Sequence, residues 1–322
     1  MKARRFLKGM RCLASRVAAL ADEQRRPITE AVAGIREYLN RRPNARALSK
    51  SEGLITASCA GVDFLLAGNI DDVIERRIAY DGVWETNILE PILKLVTPGS
   101  LFIDVGANIG AISIPVAKKG LPAGVTVISV EANASVAALL RTNVAINRLP
   151  NVSVVEKAAS DKCGTATFYQ TRSDATNHGL SSLMPHPQSG ERVEIEVETI
   201  RIDDIVEIYG QGLPVSVLKV DVEGAEPLVL SGARRTLEEF RPFLFFESLK
   251  EHSMRNLEAL SRLAELLTRY GYDCYSLSDK KHHFLAEIDL GAGFSGDVLA
   301  VSSTKPNLVT REHEIQKQAS SP

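Results

Sequence analysis

No apolar run in this chain approaches the ~20 residues that a membrane-spanning helix needs. The N-terminal region also lacks the unbroken apolar centre of a secretory leader, because Arg16 interrupts it. Cysteine is sparse: Cys12, Cys59, Cys163 and Cys274 are scattered too widely for the close pairs of a zinc site and are too few for a disulfide framework. These absences point to free thiols in a reducing compartment and a cytoplasmic location. Charge of one sign is also missing, with a formal net charge of −2 over 322 residues. With 44% apolar residues the composition is neither fibrous nor disordered, and it supports one large α/β domain plus an appendage.

The small net charge hides an asymmetry. Residues 1–46 hold twelve Lys or Arg against four Asp or Glu, so the remainder is acidic. Phe6, Met10, Leu13, Val17 and Leu20 alternate in steps of four and three, which places them on one face of a basic amphipathic helix. A second short helical stretch, 28–40, lies between Pro27 and Pro43. Such helices pack on the main domain, mediate dimerisation, or make peripheral contact with an anionic membrane surface. Nucleic acid is not expected, since the basic residues are not interleaved with aromatics. We divide the chain into a basic helical extension (1–48), a catalytic domain (49–304) and a polar tail (305–322).

The domain is organised around residues 101–110, LFIDVGANIG. Leu101, Phe102, Ile103 and Val105 form a continuous apolar run, as expected of a parallel strand covered on both faces. Gly106, Asn108 and Gly110 then allow a tight turn and close approach of a ligand, and residues 111–119 read as a helix. A second buried strand, 125–130, ends in Glu131, about 20 positions beyond the turn and placed to accept hydrogen bonds from ribose hydroxyls. Two matched features point to a cofactor containing adenosine.

A dinucleotide fingerprint would need three glycines, and those positions hold Gly106, Asn108 and Ala111. The pattern present is D-x-G-x-N-x-G, with Asp104 ahead of the turn. A carboxylate there repels a pyrophosphate but suits a cationic methionine moiety. At this turn the sequence resembles the S-adenosylmethionine-dependent class I methyltransferases, and specifically the FkbM family, which carries I-D-V-G-A-N-I-G.

The resemblance extends to the strand 215–220 and the turn after it, where Lys219, Asp221, Glu223 and Glu226 match the family's K-x-D-x-E-G-A-E. It covers residues 80–302 and leaves out the basic extension. It implies a seven-stranded Rossmann-like sheet with helices on both faces and S-adenosylmethionine as cofactor. The acceptor it implies is a hydroxyl of a sugar, glycan, lipid-linked or secondary-metabolite substrate. By resemblance Glu85 lies near the methionine end of the cofactor or the acceptor, with a solvated helix cap as its equal alternative, and Ala158, Ala159 and Ser160 lie at the adenine ring. The long insertion 170–192, with its run Gly-Leu-Ser-Ser-Leu at 179–183, resembles part of an acceptor-binding lid.

Chemically, transfer to a hydroxyl needs an oxygen held in line with the methyl group and a base for its proton. Asp221 or Glu223 can take that proton, with Lys219 tempering their repulsion. Asp221, Glu223 and a later carboxylate offer hard oxygen ligands that suit magnesium. No third ligand can be fixed from sequence, so no metal is assigned. Glu247, at the end of a strand over 242–246, stands beside this group. The alternatives are a non-catalytic protein that has kept the cofactor fold and, disfavoured by Asn108 and Ala111, a dinucleotide-dependent oxidoreductase.

Overall fold

The computed structural model describes residues 52–69, 71–171, 181–184, 192–248, 257–277, 285–287 and 296–304. The basic helix, the stretch 28–40, the histidines at 178, 186, 282 and 283 and the polar tail lie outside them.

The described residues start with a hairpin, β1 (Glu52–Cys59) and β2 (Val62–Asn69), which turns at Ala60 and Gly61. Its alternation puts Ile55, Ala57, Cys59, Phe64 and Leu66 on one buried face. Two short helices follow, α1 (Val73–Asp81) and α2 (Thr86–Leu95). The strands β3 (Leu101–Val105), β4 (Thr126–Val130) and β5 (Val152–Val155) run parallel, joined by the crossover helices α3 (Ser113–Gly120) and α4 (Ala134–Ile146).

The chain then leaves the main sheet. A three-stranded sheet in the order β6-β8-β7 is made by β6 (Ala158–Ala159), β7 (Gly164–Thr171) and β8 (Arg192–Ile200). After α5 (Ile202–Tyr209), β9 (Val215–Val220) re-enters the main sheet on the other side of β3. Helices α6 (Glu226–Ser231) and α7 (Arg234–Glu239) lead to β10 (Phe243–Ser248). The order closes with α8 (Leu257–Arg269), β11 (Tyr272–Leu277), β12 (Leu285–Glu287) and β13 (Gly296–Ser302).

The main sheet reads β12-β11-β13-β10-β9-β3-β4-β5. It is the expected seven-stranded α/β sheet, lengthened at one edge by the three residues of β12. Each face carries its own helices. Phe102, Val127, Phe243 and Leu299 meet α2, α3 and α4 on one side. Leu101, Ile103, Ile128, Leu244 and Val298 meet α5, α6, α7 and α8 on the other. Between β3 and β9 the crossovers part in opposite directions, which opens a crevice at the carboxyl ends of these strands.

One expected element breaks in two. Residues 230–240 read as a continuous helix, but α6 ends at Ser231 and α7 begins at Arg234. The cause is tertiary: a Cβ on Gly232 would sit 2.1 Å from the carbonyl oxygen of Ser160, so the backbones touch where the helix would have continued.

The outer edge of β2 is met by side chains. The N–H groups of Leu65 and Ala67 donate to the Oδ1 atoms of Asn147 (3.0 Å) and Asn143 (2.6 Å), and Asn147 Nδ2 donates to the Leu65 carbonyl at 2.6 Å. Two amides at one helical spacing on α4 thus serve β2 as a partner strand would.

The charge-rich stretch 70–86 proves helical in its middle because Asp72 caps α1 by accepting from Ile74 N–H at 2.9 Å. Glu75, only 4% exposed, lies against that cap. Burial, then the hydrogen bond and charge of Asp72, pushes its carboxyl up to about 9. It is therefore protonated in the fold and ionised in the unfolded chain at neutral pH. Its contribution is complete below about pH 4.5 and is lost as pH rises toward about 9. Denaturant titrations of the wild type and Glu75→Gln at pH 5, 7 and 9 should show the variant gaining on the wild type by about 1 kcal/mol per pH unit. Parallel pH profiles would show that the proton is not held there.

Candidate active site

The crevice between β3 and β9 is a cleft of about 290 Å³. Of the candidate residues, Glu85, Asp104, Gly106, Asn108, Glu131, Ala159, Lys219, Asp221 and Glu223 all line it. Gly110 does not. A Cβ there would meet Leu140 Cδ1 at 2.7 Å and Ile114 Cγ1 at 2.9 Å, so this glycine lets the turn pack on α3 and α4 and does not make room for a ligand.

The turn is held from both neighbouring strands. Gly106 and Ala107 N–H donate to the Val130 carbonyl, both at 3.0 Å, while Asp221 N–H donates to the Val105 carbonyl at 3.0 Å. Asn108 adopts a left-handed conformation, φ 49°, and its N–H donates to Glu131 Oε2 at 3.0 Å. Asn133 N–H donates to Glu131 Oε1 at 2.8 Å, so the acid at the tip of β4 is fixed by two backbone donors. Burial pushes Glu131 up to about 7 even against those two bonds.

Asp104 is fully buried on β3. Ser129 Oγ donates to Ser113 Oγ at 2.7 Å, and Ser113 Oγ donates to Asp104 Oδ2 at 2.6 Å. Its other oxygen, Oδ1, has no hydrogen-bond partner and lies 3.5 Å from Lys219 Nζ. Lys219, 5% exposed, also reaches Asp221 Oδ2 at 3.2 Å. Burial opposes its charge, but Asp221, Asp104 and Glu85 outweigh that and hold its pKa above the ordinary value. The cation that Asp104 faces is thus the protein's own.

Beyond β9 the chain makes an elbow, Asp221-Val-Glu-Gly-Ala-Glu226. Glu226 Oε1 accepts from Val222 N–H (3.1 Å) and Gly224 N–H (3.2 Å), which bends the backbone back on itself and puts Glu223 at φ 54°. Burial, then the charges of Asp221, Glu247 and Glu226, pushes Glu223 up to about 8. Glu247 rises to about 8 by burial first and then Asp221 and Asp297. One carboxylate oxygen each from Asp221, Glu223 and Glu247 lies within 4.8 Å of the others, so Glu247 offers the third hard oxygen that a divalent cation would need and that sequence alone did not fix.

Glu85 stands at the start of α2 without capping it, since its side chain makes no cap hydrogen bond and its backbone is left-handed, φ 45°. Burial, then Asp221, pushes it up to about 8. Asp297 on β13 completes the ring. It pairs with Glu247 across the antiparallel β10–β13 ladder and accepts from Asn87 Nδ2 at 2.7 Å. Nothing local marks Asp297 in the sequence. Its signal is only that it opens the strand beside β10.

Seven acidic side chains therefore share the lining with two ammonium groups, and burial together with their crowding raises several of them toward neutrality. Ala158 and Ala159 give the cleft a small apolar lining.

A family model described as the methyltransferase FkbM domain matches residues 104–274, from the acid before the turn to β11. No curated protein matches the chain. Among solved structures it is similar to the FkbM methyltransferase of Methylobacillus flagellatus KT, at 19% identity and a TM-score of 0.40 over 69% of this chain and 47% of that one. The chain thus spans about half the length of that protein. It is also similar to an O-methyltransferase from Bacillus cereus in complex with S-adenosylhomocysteine, with 15% identity, a TM-score of 0.42 and coverage of 69% and 82%. A Thermotoga maritima O-methyltransferase shows 14% identity, a TM-score of 0.39 and 80% coverage of both chains.

Proposed function

The chain belongs to the FkbM methyltransferase family, and on that premise we propose that it moves the methyl group of S-adenosylmethionine to a hydroxyl of a sugar, glycan, lipid-linked or secondary-metabolite acceptor. The observation that carries this reading is the contact between the glycine turn and the elbow, which sets a nucleoside seat beside convergent carboxylates.

The lining fits that cofactor. The Glu131 carboxylate keeps lone pairs for ribose hydroxyls beyond its two backbone donors, and the small apolar lining at Ala158 and Ala159 suits a purine. Asp104 Oδ1 is a buried acceptor without a hydrogen bond. When bound, the cofactor supplies a methyl group on a positively charged sulfur. The protein's part is to place the acceptor oxygen in line with that carbon and to remove its proton. Glu223, with its raised pKa near neutrality, would take the acceptor hydroxyl's proton on a carboxylate oxygen. Asp221, held by Lys219, fixes the acceptor hydroxyl beside it. Lys219 keeps the cluster from expelling its own carboxylates. The Asp221, Glu223 and Glu247 oxygens would also hold magnesium, which would orient the acceptor oxygen.

A thermal-shift comparison of S-adenosylhomocysteine with NAD tests the cofactor: stabilisation by NAD alone would sink the reading. For the chemistry, Asp221→Asn should bind S-adenosylhomocysteine within about threefold of wild type. Its transfer to a panel of hydroxylated acceptors from labelled cofactor should fall by about 10²-fold or more. Unchanged turnover would remove Asp221 from the reaction, and loss of wild-type turnover in EDTA would identify the carboxylates as a metal seat.

A further inference from the structure

Among the described residues of the insertion between β7 and β8, Ser182 hydrogen-bonds the elbow. Residues 181–184 fold back along β7, where Ser182 and Tyr169 exchange backbone hydrogen bonds of 2.8 and 3.2 Å. The Ser182 side chain points away from that ladder and is buried, 1% exposed. Its hydroxyl donates toward two carbonyls of the elbow, Val222 at 2.8 Å and Glu223 at 3.0 Å, and accepts from Met184 N–H at 3.0 Å.

These bonds add to those that hold the elbow from its own side. The N–H groups of Val222 and Gly224 end on Glu226 Oε1. The carbonyls of Val222 and Glu223 end on Ser182. One residue from the elbow's own helix and one from the insertion therefore fix a turn in which Glu223 is held at φ 54°, a conformation that a side-chain-bearing residue keeps only when its surroundings impose it. Without the hydroxyl, two carbonyls in a half-buried turn lose their donor.

We propose that Ser182 is a positioning residue that locks the elbow and so aims the Glu223 carboxylate into the cleft. It touches no reacting atom and acts through Glu223; the inference rests on the reading that Glu223 serves the reaction. It also ties the stretch 181–184 to the cleft, which Ser181, Ser182 and Leu183 line, through the backbone that carries Glu223.

The test compares wild type, Ser182→Ala, Ser182→Thr and Ser181→Ala by amide hydrogen exchange, with S-adenosylhomocysteine present. Exchange of the Val222 and Gly224 amides should quicken on the order of tenfold in Ser182→Ala. It should stay within about twofold of wild type in Ser182→Thr, which keeps the hydroxyl, and in Ser181→Ala, whose hydroxyl bonds Thr171 instead. Turnover of the acceptor panel supplies the second reading. Ser182→Ala should lower kcat on the order of tenfold with little change in the affinity for S-adenosylhomocysteine, and should cost nothing further in a Glu223→Gln background. Unchanged elbow exchange in Ser182→Ala overturns the lock. Faster exchange with unchanged kcat, or additive losses in the double variant, overturns the positioning role. If Glu223→Gln alone retains full turnover, it is the assignment of Glu223 that fails.

Discussion

Gly106→Ala is expected to abolish binding of S-adenosylhomocysteine and to lower the melting temperature by about 10 °C. The reason lies in one contact. At φ +74° a Cβ on residue 106 would lie 1.8 Å from the carbonyl oxygen of Asp221 and 2.9 Å from its carbon. Neither partner is a flexible side chain. Both are backbone at the carboxyl ends of adjacent central strands, so relief requires β3 and β9 to part just where they build the cleft. The left-handed conformation alone costs an alanine about 1 kcal/mol. Overpacking of this kind adds about 1–3 kcal/mol. At about 2–4 °C per kcal/mol for a domain of this size, the shift in melting follows. Gly110→Ala is the informative companion, because its clash is with the ends of Leu140 and Ile114 side chains. It should lose stability yet keep measurable affinity. Equal binding losses in the two variants would show that the turn fails as a whole and that the Asp221 contact has no special standing.

The second large effect concerns charge. Lys219→Met keeps the length and apolar stem of a buried side chain and removes the ammonium between Asp104 and Asp221. Leaving two carboxylates without their shared cation is expected to cost about 3–5 kcal/mol. Urea unfolding of the wild type and the variant measures it. Asp104→Asn combined with Lys219→Met should be less destabilised than the sum of the single changes, since each removes the other's partner. A loss below about 1 kcal/mol would mean that the neighbouring serines already satisfy Asp104.

The parts of the site that could be read in advance are those written locally. The run 101–110 and the elbow 219–226 each place a buried strand, a turn and their acids within ten residues, so strand, turn and chemistry can be inferred together. Glu131 was legible by its distance from the turn. What escaped depends on contacts between distant segments. The break at Gly232 is imposed by the carbonyl of Ser160, Gly110 serves packing on α3 and α4, and Asp297 reaches the cluster only through the β10–β13 pairing. Residues 163–169 and 193–200 alternate as strands should, but nothing in either run shows that they form a sheet of their own. Helix α1 sits in a stretch whose charge masks its apolar face, and its start is explained by the Asp72 cap. Glu85 is a further case: by sequence it is equally a helix cap, and only its left-handed backbone and inward side chain turn it toward the acids.

The pairing of β2 with Asn143 and Asn147 bears on the order in which the molecule is assembled. During synthesis the hairpin emerges first, and the two amides that finish its edge follow 76 and 82 residues later. Until α4 has formed, the alternate peptide groups of Leu65 and Ala67 present an open template to any other extended segment, including the same hairpin of a neighbouring nascent chain. The hairpin can therefore form early by itself but can be committed to this place only after the first two crossovers exist, which makes its docking a late, long-range step. The asparagines act as a molecular latch in time as well as in space.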